Sequence, residues 1–139
     1  MKTLCATVLS LALVAPAPSS NLTPTQQTWL SRAERHERAG WTYLRIQGSP
    51  RERGFQHGYL LAREIADSLR VRSKVWEYQS AMEWSWLVER SRSFLKVDPE
   101  NLAEIEGIVE GMKAAGVETQ REWILCGRER GGTGGRRPG

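Results

Sequence analysis

The chain has 139 residues, of which 40% are hydrophobic and 26% charged, with a formal net charge of +4 and two cysteines. A chain of that size buries one modest core, which excludes several domains and leaves little material for a complete sheet-and-helix enzyme. The positive charge is no nucleic-acid footprint: Lys2 and the arginines beyond Gly127 account for it, and the stretch between them is about neutral.

Lys2 followed by an apolar run over residues 4–14 has the form of a secretory signal, because about eleven apolar residues fall far short of the ~20 that span a bilayer. Small residues at Ala17 and Ser19 predict a signal peptide over residues 1–19 and a mature chain of roughly 120 residues. The expected location is secreted or periplasmic, without a stable membrane anchor. Cleavage removes Cys5 and leaves Cys126 without an internal disulfide partner, so core packing must hold the fold. Asn21-Leu22-Thr23 is a glycosylation sequon in form, weakened by the Pro24 behind it.

Thr23-Pro24 predicts a helix reaching about Arg38, with Thr23 as its cap and Gly40 as its end. Residues 41–47 alternate, Leu44 and Ile46 on one face and Trp41, Tyr43 and Arg45 on the other, which predicts one short half-buried strand. Gly48 turns the chain, and Ser49-Pro50-Arg51-Glu52 is a capping box that starts a helix at Pro50. Gly54, Gly58, Leu61, Ile65 and Leu69 share a face of that helix, and the two glycines predict a close approach to a neighbour, for which the preceding strand is the nearest candidate.

Helical periodicity runs on through Val75, Tyr78, Met82 and Trp86 to about Leu95, with a break expected near Arg70, and predicts a long helical arm. Asp98-Pro99 starts another helix, whose stripe of Leu102, Ile105, Val109 and Met112 ends at Gly116, a left-handed cap. Residues 119–122 read as a second capping box, yet only about one turn of apolar content follows it. Residues 127–139 carry no apolar side chain and are expected to form a disordered Gly/Arg-rich tail. A helix start that runs at once into such a tail points to a truncated or frame-shifted reading of a longer gene.

The run Ile46-Gln47-Gly48-Ser49-Pro50 followed by Arg53-Gly54-Phe55-Gln56-His57-Gly58 resembles the opening motif of the penicillin acyltransferase family and its phospholipase B-like relatives. Residues 104–111, with Gly107 and Gly111, resemble that family's second landmark in the right order, so the similarity covers about residues 41–125. The resemblance implies an incomplete α-chain-like part, residues 20–126, of an αββα N-terminal-nucleophile hydrolase: mainly α with one short β-strand. It further implies a precursor that cuts itself to expose a cysteine, whose thiol attacks a small acyl amide or ester while its own α-amino group, of unperturbed pKa near 8, serves as base. No cofactor is implied. Gly48, Ser49, Pro50, Gly54, His57, Gly58, Gly107 and Gly111 carry the motif in a structural role, and no catalytic residue is carried over.

The family's nucleophile would fall where this chain has its Gly/Arg tail. Cys126 follows Leu125 inside an apolar turn and reads as an incidental thiol. His57 reads as a core histidine without an acid or thiol beside it, and His36, among Arg35, Glu37 and Arg38, as solvated. No histidine or cysteine pair has metal-ligand spacing. Trp76, Trp84 and Trp86 read as helix packing, with an acyl-binding groove as the functional alternative. Two functions remain: the inactive front portion of a secreted hydrolase or acyltransferase, or a small secreted non-enzymatic helical binding protein.

Overall fold

The computed structural model describes residues 22–128. The expected signal peptide, residues 1–19, and most of the stretch expected to be a disordered tail lie outside them. Helix α1 (Pro24–Leu30) begins as Thr23-Pro24 predicts, with Thr23 and Gln26 exchanging capping bonds. It ends early. Residues 34–38, expected to continue it, form strand β1 (Glu34–Arg38), which pairs antiparallel with β2 (Trp41–Arg45). Ala39 and Gly40 both have positive φ, 52° and 79°, as a two-residue hairpin turn whose twist matches the strands requires. The sheet therefore has two strands instead of one. Its register sets Glu34 opposite Arg45 and stacks His36 on Tyr43, rings 5.2 Å apart.

Helix α2 (Pro50–Leu60) starts at the predicted capping box, where the Ser49 N–H donates to the Glu52 carboxylate at 2.7 Å. The backbone breaks at Leu61 (φ −119°), and α3 (Ala62–Ser80) runs straight through Arg70, where a break was expected. Ala81, in the left-handed region, separates α3 from α4 (Trp84–Phe94). Asp98 caps α5 (Pro99–Ala114) by accepting the Asn101 N–H at 3.0 Å. Gly116 ends it at φ 79°, with the Val117 N–H reaching back to the Met112 carbonyl and the Gly116 N–H to that of Lys113. This paired closure is the left-handed helix stop the sequence predicts.

The second predicted capping box does not form. Helix α6 (Arg121–Arg128) draws its first backbone bonds from Gln120, and the Thr119 hydroxyl caps nothing. The helix also runs two turns, into the stretch expected to be disordered.

The core forms where α2, α3, α5 and α6 meet. Phe55, Ile105 and Met112 are fully buried, and Ala62, Ile108 and Ile124 nearly so. No αββα sandwich is present among the described residues. They make a mainly helical assembly with one small hairpin, which overturns the expected sandwich fragment. A hairpin exposed along nearly its whole length does not build the apolar sheet face that such a layer requires.

Candidate functional site

The two motifs that carry the family resemblance are packed directly on each other. The neighbour of the Gly54/Gly58 face is α5, not the strand. A Cβ on Gly54 would fall on the backbone carbonyl of Glu104, 2.8 Å from its carbon, and one on Gly58 would meet the Ile108 carbonyl in the same way. The reverse holds from α5. A Cβ on Gly107 would lie 2.8 Å from the Phe55 nitrogen, and one on Gly111 2.7 Å from the Tyr59 nitrogen. Four glycines spaced four apart on two helices thus let the backbones touch.

Charged and polar groups fix the register of this crossing. Arg51 on α2 pairs with Glu110 on α5 at 2.9 Å, and the same carboxylate accepts from Gln26 of α1 at 2.9 Å. Arg53 donates to the Gly48 carbonyl at 2.9 Å and faces Glu100 and Glu104 at 3.4 and 3.9 Å. Glu52 is held below the usual carboxylate range, chiefly by the backbone N–H of Ser49 and then by its side chain. Ser49 and Pro50 therefore act as a helix start, and Gly48, with φ 113°, as the turn before it.

Gln56 was missed by the motif reading, which left its position unassigned. It is fully buried, and its amide accepts the Gln47 N–H and donates to the carbonyls of Gln47 and Trp29, each at 2.8 Å. One side chain thus ties α1 and the exit of β2 to the crossing. A polar residue between Phe55 and His57 on the inner face of a helix is the only sequence signal for it, and partners so far away along the chain cannot be read from periodicity.

His57 is half-buried and opens onto a cavity of about 380 Å³ between α2, α3, α5 and α6. Glu64 and Glu104 line the same cavity, above a floor that includes Ile65, Leu69 and Ile108. Glu64 is held by Arg35 of the hairpin at 2.6 Å. A histidine, two acids, Ser68 and Arg72 around an apolar floor can hold and orient a polar group, and no cysteine stands among the lining residues. Cys126 sits half-buried on α6, its Sγ 3.3 Å from the Ser91 hydroxyl, in a helix-packing position.

The two cavities do not bring Trp76, Trp84 and Trp86 together. Trp86 is exposed, with the Arg90 guanidinium 6.0 Å from its ring; Trp84 lines a separate cavity with Trp123, and Trp76 lines neither cavity. Among the described residues no three His, Cys, Asp or Glu side chains come together as a metal-binding group, and no helix is long and apolar enough to cross a membrane.

No family model, curated protein or solved structure matches this chain.

Proposed function

We propose that this chain is the front, α-chain-like portion of an exported, self-processing cysteine N-terminal-nucleophile hydrolase or acyltransferase acting on small acyl amides or esters, and that it is inactive as written. One observation carries this reading: residues 54–58 and 107–111, which hold the two halves of the motif resemblance, interlock through all four of their glycines. Short glycine motifs recur by chance, but chance does not require two of them to be complementary in space. The contact gives the paired motif a physical reason to persist as a pair.

The chain's own residues supply a scaffold. Arg51–Glu110, Arg53–Glu104 and the Gln56 amide fix α2 and α5, and His57 with Glu64 and Glu104 presents a polar rim. The chemistry itself needs a thiol beside a free α-amine, with hydrogen-bond donors for the developing oxyanion. Cys126, within a helix and packed beside Ser91, has no such setting.

The test is genetic. Reading all three frames beyond the Leu125 codon should reveal a cysteine followed by strand-patterned segments. Stop codons in every frame would overturn the reading and leave the rival, a small helical binding protein.

A further inference from the structure

We infer that a second cavity, walled by Trp84 of α4, Trp123 of α6 and Met112 of α5, is a binding site for an uncharged planar aromatic molecule with one hydrogen-bonding edge. Partly open to solvent, it has a volume of about 240 Å³. An apolar cavity of about 150 Å³ accepts a single benzene ring, so this volume suits a fused two-ring molecule. The indoles of Trp84 and Trp123 offer polarisable surfaces to a flat ring.

The hydrogen-bonding edge follows from Thr119, which forms part of the wall. Only 4% of it is exposed, and its Oγ1 makes no hydrogen bond among the described residues. A hydroxyl withdrawn from water without a partner is costly, and native proteins rarely keep one without a use. Rotation about χ1 carries a threonine hydroxyl from one staggered position to another, so the hydroxyl can be turned to meet a ligand's N–H or O–H. Arg70 and Glu118, of opposite sign, share the lining and favour neither anion nor cation. This site is separate from the His57 cavity and does not rest on the hydrolase reading.

Indole and 1-methylindole are the probes, because they share a ring system and differ in the N–H. Titration calorimetry on the purified chain and its Thr119→Val variant should show saturable binding of indole that weakens about tenfold in the variant. Binding of 1-methylindole should be the same in both proteins. Thr119→Val should melt no lower than the parent, since it removes an unpaired buried hydroxyl at nearly constant volume, which keeps loss of folding out of the comparison. Failure of indole to saturate the parent chain, or an equal loss for both probes in the variant, would overturn the assignment. Tighter binding of tryptamine or indole-3-acetate than of indole would overturn the uncharged class.

Discussion

Adding one methyl group at the crossing of α2 and α5 should destabilise the protein more than its size suggests, and with the opposite sign from an ordinary helix. In an exposed helix Gly→Ala stabilises by roughly 0.5–1 kcal/mol, because alanine loses less backbone entropy on folding. At Gly54 and Gly107 the new Cβ would meet backbone of the opposite helix, which has no side chain to rotate away. Ordinary contact distances of about 3.5 Å then require the helices to part by roughly 1 Å. Parting them loosens Phe55, Ile105 and Met112, all fully buried. Overpacking of a tight core costs about 1–3 kcal/mol and sometimes more, so a net loss of about 2–3 kcal/mol is expected for Gly54→Ala or Gly107→Ala. For a domain of this size that lowers Tm by roughly 10–20 °C. The assay is thermal and urea unfolding followed by circular dichroism. The double variant should lose less than the sum of the two singles, since one parting of the helices accommodates both methyl groups. Gly40→Ala is the control: nothing lies within 4 Å of its would-be Cβ, and only its positive φ opposes the change. If Gly54→Ala and Gly107→Ala melted at or above the parent chain, the interlocked crossing would be refuted.

Gln56→Leu should cost about 2–4 kcal/mol, because it strands the Gln47 N–H and two carbonyls in a partly buried site; an unchanged urea midpoint would show that the amide holds nothing. Glu52 and Asp98 both have carboxyls held below their ordinary pKa, by the Ser49 and Asn101 backbone N–H groups first, so the unfolded chain binds their protons more readily than the folded one. Their stabilisation is therefore full above about pH 4.5 and is lost as pH falls through the lower folded values, and Glu52→Gln with Asp98→Asn should flatten that acid limb in pH-dependent melts. The chain as written should turn over no member of an amide and ester panel and should keep its mass at the Cys126 bond, with Cys126→Ala behaving identically; cleavage before Cys126 would make it a nucleophile after all. Residues 1–19 fused to a reporter enzyme should direct its export, and retention of the reporter inside the cell would remove the basis for an exported protein.

Much of the helical layout could be read from local chemistry. The caps at Thr23, Ser49 and Asp98 start helices within a residue of where polar side chain and proline place them, and Gly116 stops one where its positive φ predicts. Strand β1 could not be read this way. Glu-Arg-His-Glu-Arg has no alternation of polarity, all five residues are exposed, and its charges at helical spacing suit a solvated helix equally well. What makes it a strand is its partner across the Ala39–Gly40 turn, an interaction that local propensity does not contain. Thr119 failed for the complementary reason. Its capping pattern is correct in form, but packing buries the hydroxyl and starts the helix from Gln120, so tertiary contacts overrode a local signal.

The candidate site shows the same division between what a motif states and what it leaves out. Spacing of four along a helix identifies Gly54 and Gly58, and Gly107 and Gly111, as places of close approach, but it does not say to what. The nearest element in sequence was the natural candidate, and the answer lay some fifty residues away. That distance matters for function. Contacts between residues adjacent in sequence form in almost any fold, whereas backbone-to-backbone contact across this separation fixes the relative position of everything that α2 and α5 carry. His57 and Glu104 belong to different motifs, and the crossing brings both to the wall of one cavity. Gln56, one residue from His57, extends the same constraint to α1 and the hairpin. A change at any of the four glycines should therefore move His57 relative to Glu104 before it unfolds the chain, and the glycine variants are a test of the site as well as of stability.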